Sequence, residues 1–445
     1  MKNTRISRRT FNGALTASIA ALGAGVLSTE TLHGVAAAAA QNGEVRIEYW
    51  HRSGGDAATK WEDLAKQFNE QFAGKVQVTV VAQAGIQELN QKVRAAAAGG
   101  GMPGALMADD PDVVQYLAND LIVPFDDYIA DKTNGLTADQ IAGFLPNQYN
   151  RQKLAIYGNK RMAFPQANSA AAFFWNVDAL KAAGLDAPVK TWQEFPDHAR
   201  KLADANPGVI PYVFLDAGAK FITTLKTYGI EWLKDDQKTA NFDTPEALEV
   251  MTMWKQLSDD GLMQIVSDSA TTVFASGKYV YLLDSSASSR GIATAKPSFT
   301  WDGGLLPQGA KDGKLRTETY GPINTLPKTT TEEQLAGWLW IKWLSTPDPL
   351  AQWVATTSYF PSEPAVADSD ALKQFYTDYP VARTLIDSVA PYATIPAPHA
   401  ALNEVRSTIT ADNVNEVLLG RLSPEDAVKK LQAEANDAIS RANGN

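Results

Sequence analysis

The alternation of apolar and polar residues over 45–81 most strongly limits the folds open to this chain. Apolar residues alternate with charged or polar ones over 45–49 and again over 76–80, which predicts two half-buried strands. Between them, apolar residues from Trp61 to Phe72 recur every three or four positions, as on one face of a helix. A strand, a helix and a strand in this order predict a βαβ unit and therefore a parallel sheet.

The same kind of pattern restarts near residue 170. Apolar runs predict strands, and helix-spaced residues between them predict helices, one opened by a Thr191-x-x-Glu194 capping box and one by Thr244-Pro245. A chain of 445 residues is long enough for two or three domains. We therefore predict an α/β fold with two lobes and a cleft between them, the second set of strands falling at 171–175, 209–214 and 279–283.

Composition excludes several classes of protein. The chain has 40 Lys and Arg, 50 Asp and Glu and a formal net charge of −10, which disfavours a nucleic-acid or lipid-binding surface. It has no cysteine, so disulfides, thiolate metal sites and cysteine nucleophiles are excluded. We expect no nucleic-acid partner.

The N-terminus carries the pattern of an export signal. Ser7-Arg8-Arg9-Thr10-Phe11 precedes a mildly apolar stretch over 14–27 and a zone of small residues ending at Ala40. This layout predicts a twin-arginine-type signal peptide over 1–40 that is removed from the mature protein. A chance Arg pair in an ordinary secretory signal, or a basic tail, is the alternative.

Motifs for catalysis and cofactor binding are missing from the sequence. It contains no nucleophile elbow, zinc-protease His pair or Walker phosphate loop. Gly99–Gly104 fits G-x-G-x-x-G, but a predicted helix precedes it and a strand follows, the reverse of a dinucleotide site. His51, His198 and His399 are far apart. We expect no catalytic residue, no cofactor and no metal.

Polar residues follow two predicted strands directly. Asp109 and Asp110 come after the apolar run over 105–107, and Asp284-Ser285-Ser286 follows another strand. Open α/β sheets bind ligands at the carboxyl ends of their strands. The Asp pair could accept bonds from sugar hydroxyls, or could serve as glycosidase carboxylates in a secreted carbohydrate-active enzyme.

Aromatic residues are plentiful, and most belong to apolar helical patterns. Aromatic rings stack on the C–H faces of sugars, and ligand pockets combine such apolar walls with a few polar groups. Five rings at strand ends or in loops could face a cleft: Trp50, Phe221, Trp301, Tyr320 and Tyr359.

Residues 174–186, FWNVDALKAAGLD, followed by Lys190-Thr191-Trp192-Gln193-Glu194, resemble a block of the extracellular solute-binding proteins of carbohydrate ABC importers. Other blocks agree in order, so the resemblance covers essentially all of 44–442. These blocks are Tyr49-Trp50-His51, Gly101-Met102-Pro103 leading to Asp109-Asp110, residues 274–278, 303–307 and 343–347, and Tyr359-Phe360-Pro361-Ser362.

The resemblance implies a periplasmic-binding-protein-like fold: two α/β lobes, a hinge and a ligand held between the lobes without chemistry. It implies an N-terminal lobe of residues 41–165 plus 319–357 and a C-terminal lobe of 166–318 plus 358–445. The implied partners are a carbohydrate or glycerol-phosphate-type ligand and the membrane subunits of an ABC permease, and we expect a monomer. A binder of this fold that reports to a sensor is an alternative.

The C-terminal half is most similar to the glycerol-3-phosphate and glycerophosphodiester binders, on 359–361, 374–376 and 403–406. A Tyr of those binders matches Ile86 here, and their Trp-rich loop falls at 217–221 without a Trp. A sugar or oligosaccharide is therefore the first expectation and a glycerol-phosphate ligand the alternative. In those binders the residues matching Asp110, Ser285 or Ser286, Gly321, Tyr359 and Arg406, and one near Asn168-Ser169, contact the ligand.

The candidate site has three kinds of role: Asp side chains accept hydroxyls, aromatic rings stack, and Arg406 clamps an anion or a hydroxyl. The expected ligand-binding residues are Asp109, Asp110, Asn168, Ser169, Phe221, Ser285, Ser286, Tyr320, Gly321, Tyr359 and Arg406.

Relatives in single-membrane bacteria usually carry a lipobox Cys, and this sequence has none. We thus expect an extracytoplasmic protein without that lipid anchor. It is either free in a periplasm, loosely retained at the cell surface or secreted, or held by an uncleaved signal.

Overall fold

The computed structural model describes residues 43–267 and 269–444, so the predicted signal segment lies outside the described residues. The strands are β1 Val45–His51, β2 Val76–Ala82, β3 Ala105–Ala108, β4 Ile122–Val123, β5 Ala167–Asn176, β6 Ile210–Phe214, β7 Met263–Ile265, β8 Tyr279–Ser285, β9 Trp301–Gly304, β10 Thr317–Tyr320, β11 Ile323–Pro327, β12 Phe360–Pro361 and β13 Ala393–Thr394.

Helices connect and cover these strands. They are α1 Gly55–Gln71, α2 Ile86–Gly99, α3 Asp110–Ala118, α4 Asp126–Ile129, α5 Ala138–Gly143, α6 Pro146–Tyr149, α7 Val177–Ala182, α8 Phe195–Ala205, α9 Ala217–Thr227, α10 Pro245–Asp259, α11 Ala270–Ala275, α12 Ser288–Ala295, α13 Thr331–Leu344, α14 Pro347–Thr357, α15 Pro364–Ala367, α16 Asp370–Asp378, α17 Pro380–Ser388, α18 Leu402–Glu404, α19 Ala411–Leu418 and α20 Pro424–Ala442.

The first sheet has five strands in the order β2-β1-β3-β11-β4. Strand β1 runs parallel to both β2 and β3, and Val45 lies opposite Val76. Helix α1 covers this sheet with Trp61, Leu64 and Phe68, whose spacing puts all three on the buried face. The βαβ unit predicted over 45–81 is therefore confirmed.

The second sheet follows the order β13-β10-β5-β8-β6-β7, and β9 and β12 also pair with β5. Strand β6 is parallel to β7 and β8, whereas β5 is antiparallel to β8. Each sheet has its own buried apolar clusters, one group centred on Trp61 and Trp340 and the other on Trp192 and Trp254. Two sheets with separate cores are the architecture that the restart of the pattern near 170 predicts.

The chain passes between the sheets more than once. It leaves the first sheet before β5, returns through Gly321-Pro322 between β10 and β11, and leaves again between α14 and β12. Helices α15 and α16 then pack against the core of the first sheet through Val366, Leu372 and Phe375. The predicted boundaries assign this stretch to the C-terminal lobe, so the contacts of α15 and α16 differ from that assignment.

Side-chain caps mark the starts of some helices. Thr244 accepts a bond from the Ala247 amide, so α10 begins where its cap predicts. Ser423 accepts a bond from the Asp426 amide in the same way at the start of α20. The Thr191 box only half forms: Glu194 N donates to Thr191 Oγ1 at 3.3 Å, but α8 starts at Phe195. Of the helices in the described residues, none has the length and apolar character needed to cross a membrane.

Candidate ligand-binding site

Three of the segments that pass between the sheets meet at Gly321. Ser169 pairs with Tyr320 across β5 and β10, and Ser285 Oγ at the end of β8 donates to Ser169 Oγ at 2.9 Å. Gly321 has φ +94°, and a Cβ placed there would lie 3.4 Å from Ser169 N and 3.6 Å from Tyr359 Cε2. The geometry thus brings together residues that are up to 190 positions apart in the sequence.

Arg151 connects Asp110 to the Gly321 turn. Arg151 Nη2 donates to Asp110 Oδ2 at 2.6 Å and to the carbonyl oxygen of Gly321 at 2.7 Å. Gln152 Nε2 also donates to Asp110. Both side chains of the Arg151–Asp110 pair are less than a tenth exposed. Asp110 is therefore held by protein groups and positions the Gly321 turn.

Asp109 caps helix α3 and carries a second ion pair. Arg52, just past the end of β1, donates from Nη2 to Asp109 Oδ1 at 2.5 Å. Both charges of this ion pair act on the hydroxyl of Tyr359. Burial raises the pKa of that hydroxyl, Arg52 lowers it and Asp109 raises it, and the pKa is raised overall. The phenol of Tyr359 is thus neutral and remains a hydrogen-bond donor.

Arg406 is engaged by a carboxylate of the second sheet. Its guanidinium Nη2 donates to Glu318, which is fully buried in β10. Glu318 Oε2 also accepts from Thr223 Oγ1 at 2.8 Å, and that hydroxyl lies 2.7 Å from the Tyr320 hydroxyl. Burial lowers the pKa of Arg406, but Glu318 and Tyr320 raise it overall, so the guanidinium stays charged.

A widened helical turn places Arg406. Residues Val405–Thr410 form a π-helical segment between α18 and α19. Helix α9 packs directly on it, since a Cβ on Gly218 would lie only 1.9 Å from the Arg406 carbonyl oxygen. π-Helical turns often occur at functional sites, and here the turn sets the position of the predicted clamp.

A lysine completes the charged groups around Tyr320. Lys220 of α9 is buried, with Nζ 4.9 Å from the centroid of the Tyr320 ring and 3.7 Å from Asp284 Oδ1. Burial lowers the pKa of Lys220, but Tyr320 and Asp284 raise it overall. Each of the four site cations therefore has a carboxylate neighbour: Arg52 with Asp109, Arg151 with Asp110, Lys220 with Asp284, and Arg406 with Glu318.

Several buried polar atoms in this region have no hydrogen-bond partner in the protein. Asn168 is 2% exposed, yet both its Nδ2 and its Oδ1 are unpaired. The acceptor Gln152 Oε1 and the donors Arg52 Nε and Arg406 Nε are also unpaired. A buried unpaired polar atom costs about 1–3 kcal/mol, so these atoms have hydrogen-bonding capacity that the protein itself does not use.

Two predicted site residues have other roles. Phe221 is fully buried in the core of the second sheet, with its ring 5.7 Å from the Trp254 ring of α10. That prediction was wrong. Ser286 Oγ is fully buried and accepts a bond from the Ala170 amide at 3.2 Å, so it supports the β5–β8 pairing. Trp50 is likewise in a core cluster, with Lys92 Nζ over its ring.

Sequence reasoning missed the partners of the predicted residues. Glu318 lies two positions before Tyr320 on β10, and side chains two apart share one face of a strand. Lys220 and Thr223 lie three apart in α9, which follows β6 at its carboxyl end. Both spacings can be read from the sequence. Arg52, Arg151 and Gln152 stand in loops, and no local pattern marked them. Within residues 43–267 and 269–444, no cluster of three or more His, Asp or Glu could hold a metal ion.

Comparison with known proteins identifies relatives. The family model described as "Bacterial extracellular solute-binding protein" matches residues 63–382. The sn-glycerol-3-phosphate-binding periplasmic protein UgpB of Escherichia coli K12 is 23% identical over 415 residues, covering 89% of this chain and 92% of that protein.

Solved structures agree on the fold. The cyclic α-maltosyl-1,6-maltose binding protein of Arthrobacter globiformis matches with a TM-score of 0.76 and 21% identity, covering 90% of this chain and 100% of that chain. UgpB of Mycobacterium tuberculosis, solved with glycerophosphocholine, matches with a TM-score of 0.74 and 21% identity over 89% and 98% of the two chains. The predicted two-lobed α/β fold is confirmed, and the family model covers well over half of the chain. The chain belongs to the family of bacterial extracellular solute-binding proteins.

Proposed function

We propose that this protein is the extracytoplasmic solute-binding component of an ABC importer and that it captures a neutral sugar or oligosaccharide between its two lobes. In this proposal the lobes are residues 41–165 with 319–357, and residues 166–318 with 358–445, except that α15 and α16 pack against the core of the first sheet. A ligand that contacts both lobes favours the closed state by its differential affinity, and the closed form delivers the ligand to the permease. The protein acts as a monomer.

The unpaired amide of Asn168 carries the preference for a sugar. It offers one donor group and one acceptor, and a hydroxyl group can satisfy both. A phosphate oxygen only accepts, so Asn168 Oδ1 and Gln152 Oε1 need hydroxyl donors, of which a sugar offers more than a glycerol phosphate does. The site cations already have carboxylate partners, which reduces their attraction for an anion.

Titration calorimetry against neutral sugars, glycerol 3-phosphate and glycerophosphocholine tests the proposal. We expect one neutral sugar to bind one-to-one and remain chemically unchanged. Asn168→Leu should weaken that binding at least about tenfold, because two hydrogen bonds are lost. Asn415→Leu on the exposed face of α19 is the matched control and should bind normally. Binding of a sugar with equal affinity by Asn168→Leu would contradict the role of the amide.

A glycerol 3-phosphate or glycerophosphodiester ligand is the second candidate. It is favoured by the 23% identity to a relative named for glycerol 3-phosphate, and by the unpaired Nε donors of Arg52 and Arg406. In the same titrations, binding of glycerophosphocholine or glycerol 3-phosphate without binding of any sugar would establish this alternative. Arg406→Ala should then abolish binding of the phosphate ligand.

The relatives are named as binding proteins, and the state of the Asp pair supports a binding role here. Asp110 is buried and held by Arg151 and Gln152, and Asp109 is held by Arg52. Neither carboxylate is placed to exchange protons with a substrate. Incubation with a polysaccharide panel should release no reducing ends. Release that disappears in Asp110→Asn would instead establish a carbohydrate-active enzyme.

Residues 1–40 act, in this proposal, as a twin-arginine-type export signal. Replacing both Arg8 and Arg9 by Lys should block export of the full chain, because the signal depends on the arginine pair. Fractionation of cells that make the two forms measures this. Unchanged export of the Lys-Lys form would indicate an ordinary secretory signal.

A further inference from the structure

Arg290 of helix α12 contacts elements that belong to the core of the first sheet. Its own helix packs on the second sheet, since Ile292 lies in a buried cluster with Phe174 of β5. The guanidinium Nη1 donates to the Ala355 carbonyl oxygen at 3.0 Å and also to that of Thr356. Both carbonyls belong to the last turn of α14, whose buried face lies in the core of the first sheet. Arg290 therefore links a helix of the second sheet to a helix of the first.

The end of α14 that Arg290 contacts is a place where a cation is stabilising. The last four carbonyl groups of a helix have no partner within the helix, and its C-terminus carries a partial negative charge. The last turn of α14, Val354-Ala355-Thr356-Thr357, carries no basic side chain of its own. Arg290 supplies both the donors and the positive charge from the other sheet. Its bonds are charge-assisted, and such bonds are roughly twice as strong as those between neutral groups.

Two weaker contacts of Arg290 also go to elements of the first core. Its Nη2 lies 3.5 Å from Asp56 Oδ2 at the start of α1. Its guanidinium lies 5.9 Å from the centroid of the Tyr379 ring, which packs against the core of the first sheet. The side chain of Asp56 is 83% exposed, so this ion pair contributes little. The two carbonyl bonds to α14 are therefore the main contact.

The two segments that Arg290 joins each continue into residues of the candidate site. Tyr359 comes two positions after the end of α14, in the passage from α14 to β12. Ser285 ends β8, three positions before α12 begins. Ser288 Oγ of α12 donates to Asp284 Oδ2 at 2.7 Å, which holds the start of α12 to that strand end. The bonds of Arg290 thus constrain the separation between the segments that carry Tyr359 and Ser285.

We propose that Arg290 is a positioning residue that holds the two lobes in the arrangement of this structure and so presets the spacing of the ligand site. The inference rests on the proposed function, in which a ligand is held between lobes that move about a hinge. A motion that separates α12 from α14 must break the bonds from Arg290 Nη1 to the two carbonyl oxygens. Loss of the guanidinium removes that cost, so the ligand-free protein shifts away from this arrangement.

Pulsed electron double resonance between two spin labels measures the lobe arrangement without any ligand. The sequence has no cysteine, so Lys66→Cys on α1 and Lys429→Cys on α20 give two unique labelling sites. Both positions are exposed, and their helices pack on different cores. In the mature protein we expect a main population at the label separation of this structure. Arg290→Met should lower the ratio of that population to all others at least about fivefold, because two charge-assisted bonds are lost.

Arg316→Met is the matched control, and it should leave the label distances unchanged. The Arg316 side chain is 24% exposed against 30% for Arg290, and it donates to Asp312 and to the Lys314 carbonyl oxygen within its own loop. Arg290→Lys keeps the positive charge at the end of α14 and should retain more of the matching population than Arg290→Met. Arg290→Gln, which loses the charge, gives the same test if Arg290→Met does not fold. An unchanged distribution in the variant without the charge, or an equal loss in Arg316→Met, would overturn the proposal.

The same labels separate this inference from the proposed function. Maltose, glycerol 3-phosphate and glycerophosphocholine are the probes for a ligand-dependent change in the label separation. The comparison of Arg290→Met with the unaltered protein needs none of them. A protein that binds no sugar and no phosphate probe in calorimetry would refute the proposed function, and the label distances would still decide the role of Arg290.

Discussion

The buried carboxylate of Glu318 determines what Arg406 can do. A guanidinium in a cleft resembles an anion clamp when only its sequence context is known. Glu318, which occupies one edge of that guanidinium, lies 88 residues earlier in the chain, and no local pattern connects the two. The sequence could thus predict Arg406 as a site residue, but it could not predict that Glu318 pairs with it. That pairing depends on where the fold places β10 and the π-helical turn.

Replacing Glu318 by Gln should test how far this pairing shapes the site. The change leaves Arg406, whose side chain is 19% exposed, without its fully buried counter-charge, and breaking a pair of this kind costs up to about 3 kcal/mol, the low end of the range for fully buried pairs. We expect the free energy of unfolding to fall by about that amount in urea titrations. We also expect affinity for glycerol 3-phosphate to rise relative to sugars.

Glu416→Gln is the matched control for that measurement. Glu416 also pairs with an arginine, Arg421, but the two side chains are 38% and 63% exposed, so the loss of this surface pair should cost no more than about 1 kcal/mol. Equal destabilisation by the two changes would mean that Glu318 contributes no more than a surface charge.

Asp112 should give the site region a distinctive pH dependence. Burial and the neighbouring Asp109 raise its pKa to about 6, although the Asp109 amide, Asn90 and Arg52 oppose the shift. A carboxyl whose pKa is higher in the folded protein keeps its proton longer there than in the unfolded chain. Stability therefore falls as the pH rises from about 4 to about 6, and stays low above that.

The comparison of the unaltered protein with Asp112→Asn isolates this effect. His51, whose pKa burial lowers to about 4, acts in the opposite sense over the same range, and it is present in both forms. We expect the difference in unfolding free energy, unaltered minus variant, to drop by about 2 kcal/mol between pH 4 and pH 7. Parallel stability curves for the two forms would show that Asp112 does not titrate in this range.

At the level of elements, the predicted strands and helices came from apolar periodicity and from helix caps. Strands β1, β2, β6 and β8 and helices α1 and α10 lie where apolar spacing or a cap predicted them. Phe221 shows the limit of the method. Helix α9 is buried along its entire length, so its apolar residues have no single marked face, and a ring in it cannot be assigned to core or cleft from spacing alone.

The contact between α9 and the π-helical turn allows a direct test of this element's role. A Cβ at Gly218 would meet the backbone of Arg406, which cannot move aside as a flexible side chain can. We expect Gly218→Ala to lower the free energy of unfolding by about 3 kcal/mol and to weaken sugar binding, because Arg406 is displaced.

Gly99→Ala provides the control for helix propensity. Gly99 ends α2, and a Cβ there would have no neighbour within 4 Å, so alanine should be neutral or slightly stabilising. If Gly218→Ala behaved like Gly99→Ala in urea denaturation and in calorimetry, the close approach of α9 to the π-helical turn would matter neither for stability nor for sugar binding.

At the scale of the whole molecule, two lobes were predictable because the βα pattern stops and restarts. The return of α15 and α16 to the first core was not, because amphipathic helices show which face is buried but not which core receives it. The same limit applies to the site. Asn168, Gly321 and Tyr359 lie next to one another only because three segments pass between the sheets at one point.

Gly321 lies where these passages meet, so its replacement should affect binding more than folding. Gly321→Ala forces a side chain into a left-handed conformation, which costs about 1–2 kcal/mol. Its methyl group would also fill the space between Ser169, Asn168 and Tyr359, where the sugar hydroxyl is proposed to bind.

Gly313→Ala separates strain from binding. Gly313 has φ +73° and a Cβ there would meet nothing within 4 Å, so it carries the same backbone strain without the crowding. We expect both variants to lose similar stability by thermal denaturation, whereas only Gly321→Ala should lose sugar affinity by about tenfold or more in calorimetry. Equal affinity in the two variants would mean that the ligand does not bind at the meeting point of the three segments, and the site would have to lie elsewhere between the lobes.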